Sequence, residues 1–169
     1  MNDVRREMEA WAREVLTDPK TVVLDTETTG LEGYVCEIAV LNGESEFLLN
    51  TLVNPLVPVE PGAYNVHHLG EAELSAAPEF GAVWPALKGI VNSRRVIVYN
   101  AKFDSGVVRR ELARLGEDIP NLPWEDAMVP YSDWLNGWYD SRYVRLNGGH
   151  RAGDDCKAVF ERLIEMAGL

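Results

Sequence analysis

Two acidic residues, Asp25 and Glu27, follow a short apolar run and are separated by a single residue. The run at residues 21–24 is rich in β-branched side chains, which is typical of a strand buried on both faces. Because side chains alternate along a strand, both carboxylates project from the same face. Adjacent buried carboxylates repel each other and lose hydration, and oxygen-seeking divalent cations relieve both penalties. The pair indicates half of a metal site. The alternative is that Asp25 is a capping residue and that the following residues form a turn that merely ends the strand.

The length and composition indicate one domain. A chain of 169 residues can bury one hydrophobic core, so we expect residues 1–169 to form a single domain with a helix over residues 1–18 packed on it. The charges within residues 1–18 exclude the apolar core of a signal peptide, and no apolar run is long enough to span a membrane. Cys36 and Cys156 are isolated, as is usual for reduced thiols, which favours a cytoplasmic protein.

The formal net charge of −11 bears on the possible partners. Tight, non-specific binding to duplex nucleic acid depends on many positive charges, so the composition argues against an architectural duplex-binding protein. Nucleic acid is still a possible substrate, because bound cations would reverse the local charge of an acidic site. Arg142, Arg145 and Arg151 surround a candidate catalytic segment, where they either contact phosphate groups or belong to a solvated surface.

Hydrophobic periodicity predicts an α/β domain. Asn42-Gly43 separates two β-rich runs and predicts a two-residue hairpin, so the first three strands should form an antiparallel meander. Residues 54–78 contain four prolines and are expected to form a long irregular loop. The other predicted elements are a helix over 79–91, a strand over 95–99, a helix ending near residue 115, an irregular aromatic segment over 120–149 and a helix over 153–167.

Two further acids and a histidine complete the residues that could do chemistry. Asp104 follows the 95–99 strand at the start of a helix, Asp155 lies in the first turn of the last helix, and His150 precedes it by five residues. Helix N-termini favour negative side chains, so each aspartate taken alone is better explained as a cap. His150 taken alone is typical of a surface loop.

Taken together, three segments resemble the motifs of a known family. They read Leu-Asp-Thr-Glu-Thr-Thr-Gly with Asp25 and Glu27, Asn-Ala-Lys-Phe-Asp with Asp104, and His-Arg-Ala-Gly-Asp-Asp with His150 and Asp155. In this order they resemble the motifs of the DEDD superfamily of 3′→5′ exonucleases, in its DEDDh branch. That branch includes the epsilon-type proofreading exonucleases and ribonuclease T.

Two more segments are similar to this family, and two features depart from it. Residues 36–38 (Cys-Glu-Ile) resemble an E-I segment of the family's second strand, and residues 63–69 resemble a loop that ends in an Ile-His-Gly-Ile-like sequence. His68 stands where that loop usually has glycine. Residues 143–149 are too short for a helix that usually precedes the motif-three histidine. One wall of the cleft is therefore either truncated or rebuilt by the aromatic segment.

The resemblance implies a ribonuclease H-like α/β fold, in which helices flank a central mixed sheet with an antiparallel meander and parallel strands. It also implies two divalent metal ions, Mg²⁺ or Mn²⁺, with His150 as the general base. The implied metal ligands are Asp25, Glu27, Asp104 and Asp155. The residue types agree with this chemistry, because two cations can activate a water and neutralise the leaving 3′-oxygen, while a neutral imidazole takes the proton.

The implied substrate is the 3′ end of a single-stranded nucleic acid, DNA first and short RNA second, degraded to nucleoside 5′-monophosphates. The implied substrate contacts, each with a structural role as an equal alternative, are Thr28, Thr29, Leu31, His67, Asn100 and Phe103. We also expect at least one aromatic residue within 138–143 near the cleft, because bases stack on aromatic rings. The rival interpretation is a catalytically silent or partner-dependent module, such as a proofreading or interaction subunit. A homodimer or a polymerase partner is left open.

Overall fold

The fold comes from a computed structural model that describes residues 2–137 and 142–169. The helices are α1 (Asn2–Thr17), α2 (Pro61–His67), α3 (Glu71–Leu74), α4 (Phe80–Val91), α5 (Ala101–Leu115), α6 (Met128–Asn136) and α7 (Ala152–Ala167). The strands are β1 (Thr21–Thr28), β2 (Val35–Asn42), β3 (Phe47–Leu52), β4 (Arg95–Val98) and β5 (Glu125–Asp126). No helix among the described residues is both long and apolar enough to cross a membrane.

One mixed sheet of five strands organises these elements, in the order β3-β2-β1-β4-β5. β1, β2 and β3 pair antiparallel, whereas β4 runs parallel to β1 and β5 runs parallel to β4. This topology confirms the predicted α/β fold with an antiparallel meander and parallel strands. β1 lies in the middle of the sheet, which explains why nearly all of its side chains are buried.

Helices cover both faces of the sheet. On one face, Val23 packs in a cluster with side chains of α1, α6 and α7. On the other face, Val22 and Leu24 pack with side chains of α4 and α5. Because the side chains of β1 alternate, Asp25 and Glu27 continue the face of Val23 and project on the side covered by α7.

The loop of the β2–β3 hairpin differs from the prediction. A two-residue turn is wrong, because residues 43–46 separate the two strands. The side-chain oxygen of Asn42 accepts hydrogen bonds from the backbone N–H groups of Glu44 and Glu46, each at 2.9 Å. Ser45 takes the left-handed backbone conformation, with φ of 63°. Asn42 therefore organises a wider turn through its side chain, as asparagine commonly does.

Residues 54–78 contain more regular structure than predicted, because α2 and α3 interrupt the expected loop. Pro61 is the first residue of α2. Proline suits this position, because the N–H group that it lacks would have no partner within the helix. His68 ends α2 in the left-handed conformation, with φ of 58°. Glycine, which is usual at this place in the family that the sequence resembles, adopts this conformation freely. His68 adopts the same conformation at a cost of about 1 kcal/mol.

The described residues of the aromatic segment, 120–137 and 142–149, are irregular, as predicted, apart from β5 and α6. Trp134 of α6 is buried against the α1 and α7 side of the core, so it has a structural role. Tyr143 is 64% exposed. Trp138 and Tyr139 lie outside the described residues, so their expected place near the cleft stays a prediction.

Candidate functional site

Three acidic side chains meet near the C-terminal end of β1. Asp25 and Glu27 project from β1, and Asp155 lies in the first turn of α7, which packs on β1. One carboxylate oxygen of each residue lies within 4.8 Å of those of the other two. Asp25 is the most deeply buried of the three, at 9% exposure. The structure thus brings together three of the four predicted metal ligands.

Burial and mutual repulsion raise the pKa of these carboxyl groups. Burial is the main cause for Glu27, the charge of Asp155 adds to it, and the pKa of Glu27 rises to about 8. Burial also raises the pKa of Asp25 well above its usual range, with further repulsion from Asp104 and Glu27. Burial raises the pKa of Asp155 as well. Clustered carboxylate oxygens are the ligands that divalent cations prefer, and a cation would offset this repulsion, so the residues fit such an ion.

Asp104 occupies a separate position, in the first turn of α5. Its side chain is 2% exposed, and its Oδ1 accepts a hydrogen bond from Thr26 Oγ1 at 2.8 Å. Burial raises the pKa of Asp104 to about 7, although the Thr26 hydrogen bond opposes this rise. Asp104 is not part of the three-residue cluster, but its charge acts on Asp25. Its role as a metal ligand stays a prediction.

His150 lies immediately beside the cluster. Its side chain is exposed, and its backbone N–H group donates a hydrogen bond to Asp155 Oδ1 at 3.3 Å. The backbone of His150 is left-handed, with φ of 53°. The predicted base is therefore tied through its main chain to a predicted metal ligand, while its ring stays accessible to a substrate.

The end of β1 and the turn after it contain three of the predicted substrate contacts, and two of these are buried. Thr28 Oγ1 donates a hydrogen bond to the Gly30 carbonyl oxygen at 2.9 Å. Thr29 Oγ1 accepts one from the Tyr34 N–H group at 3.0 Å. Leu31, in contrast, is 82% exposed. Leu31 is therefore the predicted contact in this turn whose side chain reaches solvent.

His67, another predicted substrate contact, is buried beneath the same turn at 4% exposure. The Leu69 N–H group donates to His67 Nδ1 at 3.0 Å, so the ring proton lies on Nε2. Nε2 in turn donates to the Thr28 carbonyl oxygen at 3.0 Å. Burial lowers the pKa of His67, which favours this neutral form. Both ring nitrogens are used inside the protein, and together they join the main chain of Thr28 to that of Leu69.

The remaining predicted contacts share one cavity. Leu31, Asn100 and Phe103 line a cavity of about 520 Å³ beside α5. The basic side chains of Lys102 and Arg109 line it as well. The structure thus brings these three predicted contacts together, whereas the other three point into the protein.

The segment that leads to His150 is anchored from two sides. Tyr99 Oη donates a hydrogen bond to the Val144 carbonyl oxygen at 2.6 Å. The Val144 N–H group donates to Ser132 Oγ at 2.9 Å. Residues 142–149 form neither helix nor strand, so the structure has no helix in the described residues that directly precede His150.

Two arginine contacts that hold the site were missed from the sequence. Arg151, considered there as a phosphate contact, donates from Nε and Nη2 to the two carboxylate oxygens of Glu37, at 2.9 and 2.7 Å. Arg110 donates from Nε to the Gly33 carbonyl oxygen at 3.0 Å and so holds the turn after β1. A signal for the first contact existed, because Glu37 lies opposite Glu27 in the β1–β2 pairing and facing acids require a nearby cation.

A partly buried carboxylate cluster at the end of the central strand of a mixed sheet, beside an accessible histidine, is typical of enzymes that hydrolyse phosphodiesters with metal ions. A family model described as exonuclease, RNase_T, matches residues 22–163. The chain belongs to this exonuclease family, and the resemblance to the DEDDh exonucleases is confirmed. Family membership and the acidic cluster together indicate a site for a divalent metal.

Several curated proteins are similar to the chain. Exodeoxyribonuclease 10 of Escherichia coli (strain K12) is 35% identical over 154 residues, covering 85% of this chain and 67% of that protein. The PolC-type DNA polymerase III of Clostridium perfringens is 28% identical over 163 residues, covering 86% of this chain and 11% of the polymerase. The epsilon subunit of DNA polymerase III of E. coli K12 is 29% identical over 113 residues, covering 60% of this chain and 46% of the subunit. The chain thus spans only part of each of these relatives.

Solved structures share the fold. Exonuclease X in complex with 5′ overhanging duplex DNA superposes with a TM-score of 0.62 at 24% identity, covering 88% of this chain and 93% of that one. The nuclease domain of 3′hExo, a DEDDh family member bound to rAMP, has a TM-score of 0.67 at 13% identity, covering 90% of this chain and 94% of that one. At these identities the similarity establishes the fold.

Proposed function

We propose that the protein is a metal-dependent 3′→5′ exonuclease that releases nucleoside 5′-monophosphates from single-stranded nucleic acid, with DNA favoured over short RNA. The observation that carries the proposal is the meeting of Asp25, Glu27 and Asp155, whose carboxylate oxygens lie within 4.8 Å of one another, beside His150. The preference for DNA is supported by the similarity to exodeoxyribonuclease 10.

The proposed cofactors are two divalent ions, Mg²⁺ or Mn²⁺, held by Asp25, Glu27 and Asp155 with Asp104 as the fourth ligand. Such ions, when bound, make a water molecule more acidic and offset the negative charge that develops on the leaving 3′-oxygen. The carboxyl groups must ionise to bind them. Because the pKa of Glu27 is about 8, metal affinity should rise steeply between neutral pH and pH 8.

His150 is the proposed general base. A neutral imidazole nitrogen can accept the proton of the attacking water, and an exposed ring can then release that proton to solvent. The hydrogen bond from the His150 N–H group to Asp155 Oδ1 places the main chain of this residue at the border of the carboxylate cluster.

The cavity beside α5 is the proposed place of the strand near its 3′ end. Leu31 and Phe103 offer apolar surfaces to a base, and Asn100 offers an amide. Lys102 and Arg109 supply positive charge that suits phosphate groups. The buried contacts in the turn after β1 are proposed to act indirectly, because they hold Leu31 in place.

The test is a degradation assay on 5′-labelled single-stranded DNA and RNA oligonucleotides of matched sequence. Each is incubated with Mg²⁺, with Mn²⁺ and with EDTA, and the variant Asp25→Ala serves as the control. We expect a ladder that shortens from the 3′ end, with DNA cleaved faster, and no products in EDTA or with the variant. A 3′-labelled duplicate distinguishes release of the terminal mononucleotide from internal cleavage.

The second candidate function is a silent or partner-dependent module, favoured by the similarity to the epsilon subunit of a polymerase. Absence of cleavage in either metal would contradict the free-standing exonuclease and support this module. Activity that appears only with added polymerase would assign the protein as a proofreading subunit. A polymerase partner, a homodimer and a cytoplasmic location stay predictions of the sequence.

A further inference from the structure

A bidentate ion pair joins β2 to the start of α7. Arg151 donates from Nε and Nη2 to the two carboxylate oxygens of Glu37, at 2.9 and 2.7 Å. The backbone N–H group of Ala152 donates to Glu37 Oε2 at 2.9 Å. Three donors therefore converge on one carboxylate that is only 5% exposed. Bidentate pairs of this kind restrict orientation as well as distance.

The two partners lie next to the proposed catalytic groups on both sides of the site. Glu37 faces Glu27 directly across the β1–β2 pairing. Arg151 is the residue that follows His150, and its carbonyl oxygen accepts hydrogen bonds from the N–H groups of Asp154 and Asp155, each at 2.9 Å. The pair thus connects the strand beside one predicted metal ligand to the turn that carries the base and another ligand.

The segment before His150 is anchored at Val144, but the restraint at His150 itself is weaker. Its side chain is exposed, its backbone is left-handed, and the hydrogen bond from its N–H group to Asp155 is long at 3.3 Å. Since Arg151 is covalently next to His150, its two hydrogen bonds to Glu37, at 2.9 and 2.7 Å, restrain where the His150 main chain lies. The Arg151 charge also reaches the cluster, where it lowers the pKa of Glu27 against the larger effect of burial.

We propose that Glu37 and Arg151 are positioning residues that fix His150 and Asp155 relative to Asp25 and Glu27. The inference rests on the proposed exonuclease activity. Neither residue touches the reacting atoms, and the pair acts through the main chain of residues 150–155. Displacing a catalytic group by about 1 Å can cost up to about a hundredfold in rate, so the pair should affect turnover more than substrate binding.

A second bidentate pair, which lies within the sheet, provides a matched control. Arg95 donates from Nε and Nη2 to the two carboxylate oxygens of Glu125, at 2.6 and 2.7 Å. Arg95 begins β4 beside Thr21, the first residue of β1, so this pair lies at the end of β1 away from the cluster. Its loss should affect stability alone.

The experiment compares Glu37→Gln, Arg151→Lys and their double variant with Glu125→Gln, using kcat, KM, the Mn²⁺ dissociation constant by calorimetry and the melting temperature. Glu37→Gln keeps the size and an acceptor for Ala152, and Arg151→Lys keeps the charge without the planar fork. We expect each single variant to lower kcat by about tenfold to a hundredfold with KM changed less than about threefold. The double variant should be no worse than the worse single variant, because the two residues act as one unit.

The outcomes separate the inference from the function on which it rests. An inactive wild-type protein would contradict the proposed function. If the wild type is active and the kcat values of Glu37→Gln and Arg151→Lys equal that of Glu125→Gln, the positioning role is overturned. Additive losses in the double variant would also overturn it. If Glu37→Gln fails to fold, Arg151→Lys decides the question alone, because it leaves the buried carboxylate with a charged partner.

Discussion

Gly148 lies directly against the side chain of Asp155. A β-carbon at residue 148 would overlap the Asp155 carboxylate, and it would also lie 3.3 Å from the Asp155 Cα atom. The chain can pass over the start of α7 on its way to His150 because this residue has no side chain. The Asp155 carboxylate thus lies between the backbone of Gly148 and the carboxylates of Asp25 and Glu27.

Gly148→Ala should therefore displace the Asp155 carboxylate. We expect kcat/KM to fall by about a hundredfold, together with weaker Mn²⁺ binding by calorimetry, because a shift of about 1 Å in a catalytic group has this effect. Gly89→Ala in α4 is the control, since a β-carbon there meets no atom within 4 Å. That control should keep full activity and gain about 0.5–1 kcal/mol in the free energy of unfolding. Wild-type activity of Gly148→Ala would show that the orientation of Asp155 is not critical.

Asp25→Asn should separate stability from activity. Burial and the charges of Asp104 and Glu27 disfavour an ionised Asp25, so the variant relieves the metal-free protein of an unfavourable charge. We expect no exonuclease activity, but in EDTA at pH 8 a free energy of unfolding higher by about 1 kcal/mol, or a melting temperature higher by about 2–4 °C. Asp154→Asn is the control, because its side chain is 58% exposed and its pair with Lys157 is worth little. A melting temperature of Asp25→Asn at or below that of this control would contradict the prediction.

The metal-free protein should lose stability as the pH rises from 6.5 to 8. The pKa of Glu27 is about 8 in the fold against 4.5 in the unfolded chain, so the folded state binds more protons in this interval and its stability falls as they leave. Asp104, with a pKa of about 7, acts in the same direction. The lowered pKa of His67 has a different effect, because it reduces the stability of the fold as the pH falls below 6.5, where the unfolded chain binds a proton more readily.

Melting curves with EDTA and with Mg²⁺ across this interval measure the effect. The stabilisation by Mg²⁺ should grow toward pH 8, because the ligands must be deprotonated to bind the ion. Glu27→Gln should flatten the pH dependence in EDTA and reduce the response to Mg²⁺. A wild-type melting temperature that is constant from pH 6.5 to 8 in EDTA would argue against the raised pKa of Glu27.

The histidines should divide by role. His150→Ala removes an exposed ring, so we expect unchanged stability and a kcat lower by about 10²–10⁴-fold, the usual contribution of a general base. His67→Ala leaves the Thr28 carbonyl oxygen and the Leu69 N–H group without their buried partner, so its free energy of unfolding should fall by about 1–3 kcal/mol. Urea unfolding and single-turnover kinetics measure the two effects.

His68→Gly is the control for both variants, because His68 is exposed and left-handed. Glycine suits that backbone, so this variant should be active and at least as stable as the wild type. An active His150→Ala would place the general base elsewhere, and a fully stable His67→Ala would contradict the structural role of that ring.

The fold was predictable to the extent that local patterns decide it. The apolar spacing of α1 and the β-branched run of β1 are readable from the sequence, and both elements are present. The length of the turn at residues 43–46 was not predictable from the sequence, because the hydrogen bonds of the Asn42 side chain set it. The short helices α2 and α3 were missed because four to seven residues carry too little periodicity.

The sequence by itself determined which residue types could do chemistry and in what order they occur. Asp25 and Glu27 share a face because alternation along a strand is a property of the strand alone. The family membership likewise follows from motifs that are continuous in the sequence.

Only the tertiary structure decided which of these side chains meet. Glu37 and Arg151 are 114 residues apart, and their contact depends on how α7 packs on the sheet. The contact of α2 with the end of β1 likewise buries His67, whereas Leu31 stays exposed, although both were equal candidates in the sequence. Spacing along the chain sets the direction of a side chain on its own element, whereas the distance between elements follows from strand pairing and helix packing, which no local pattern encodes.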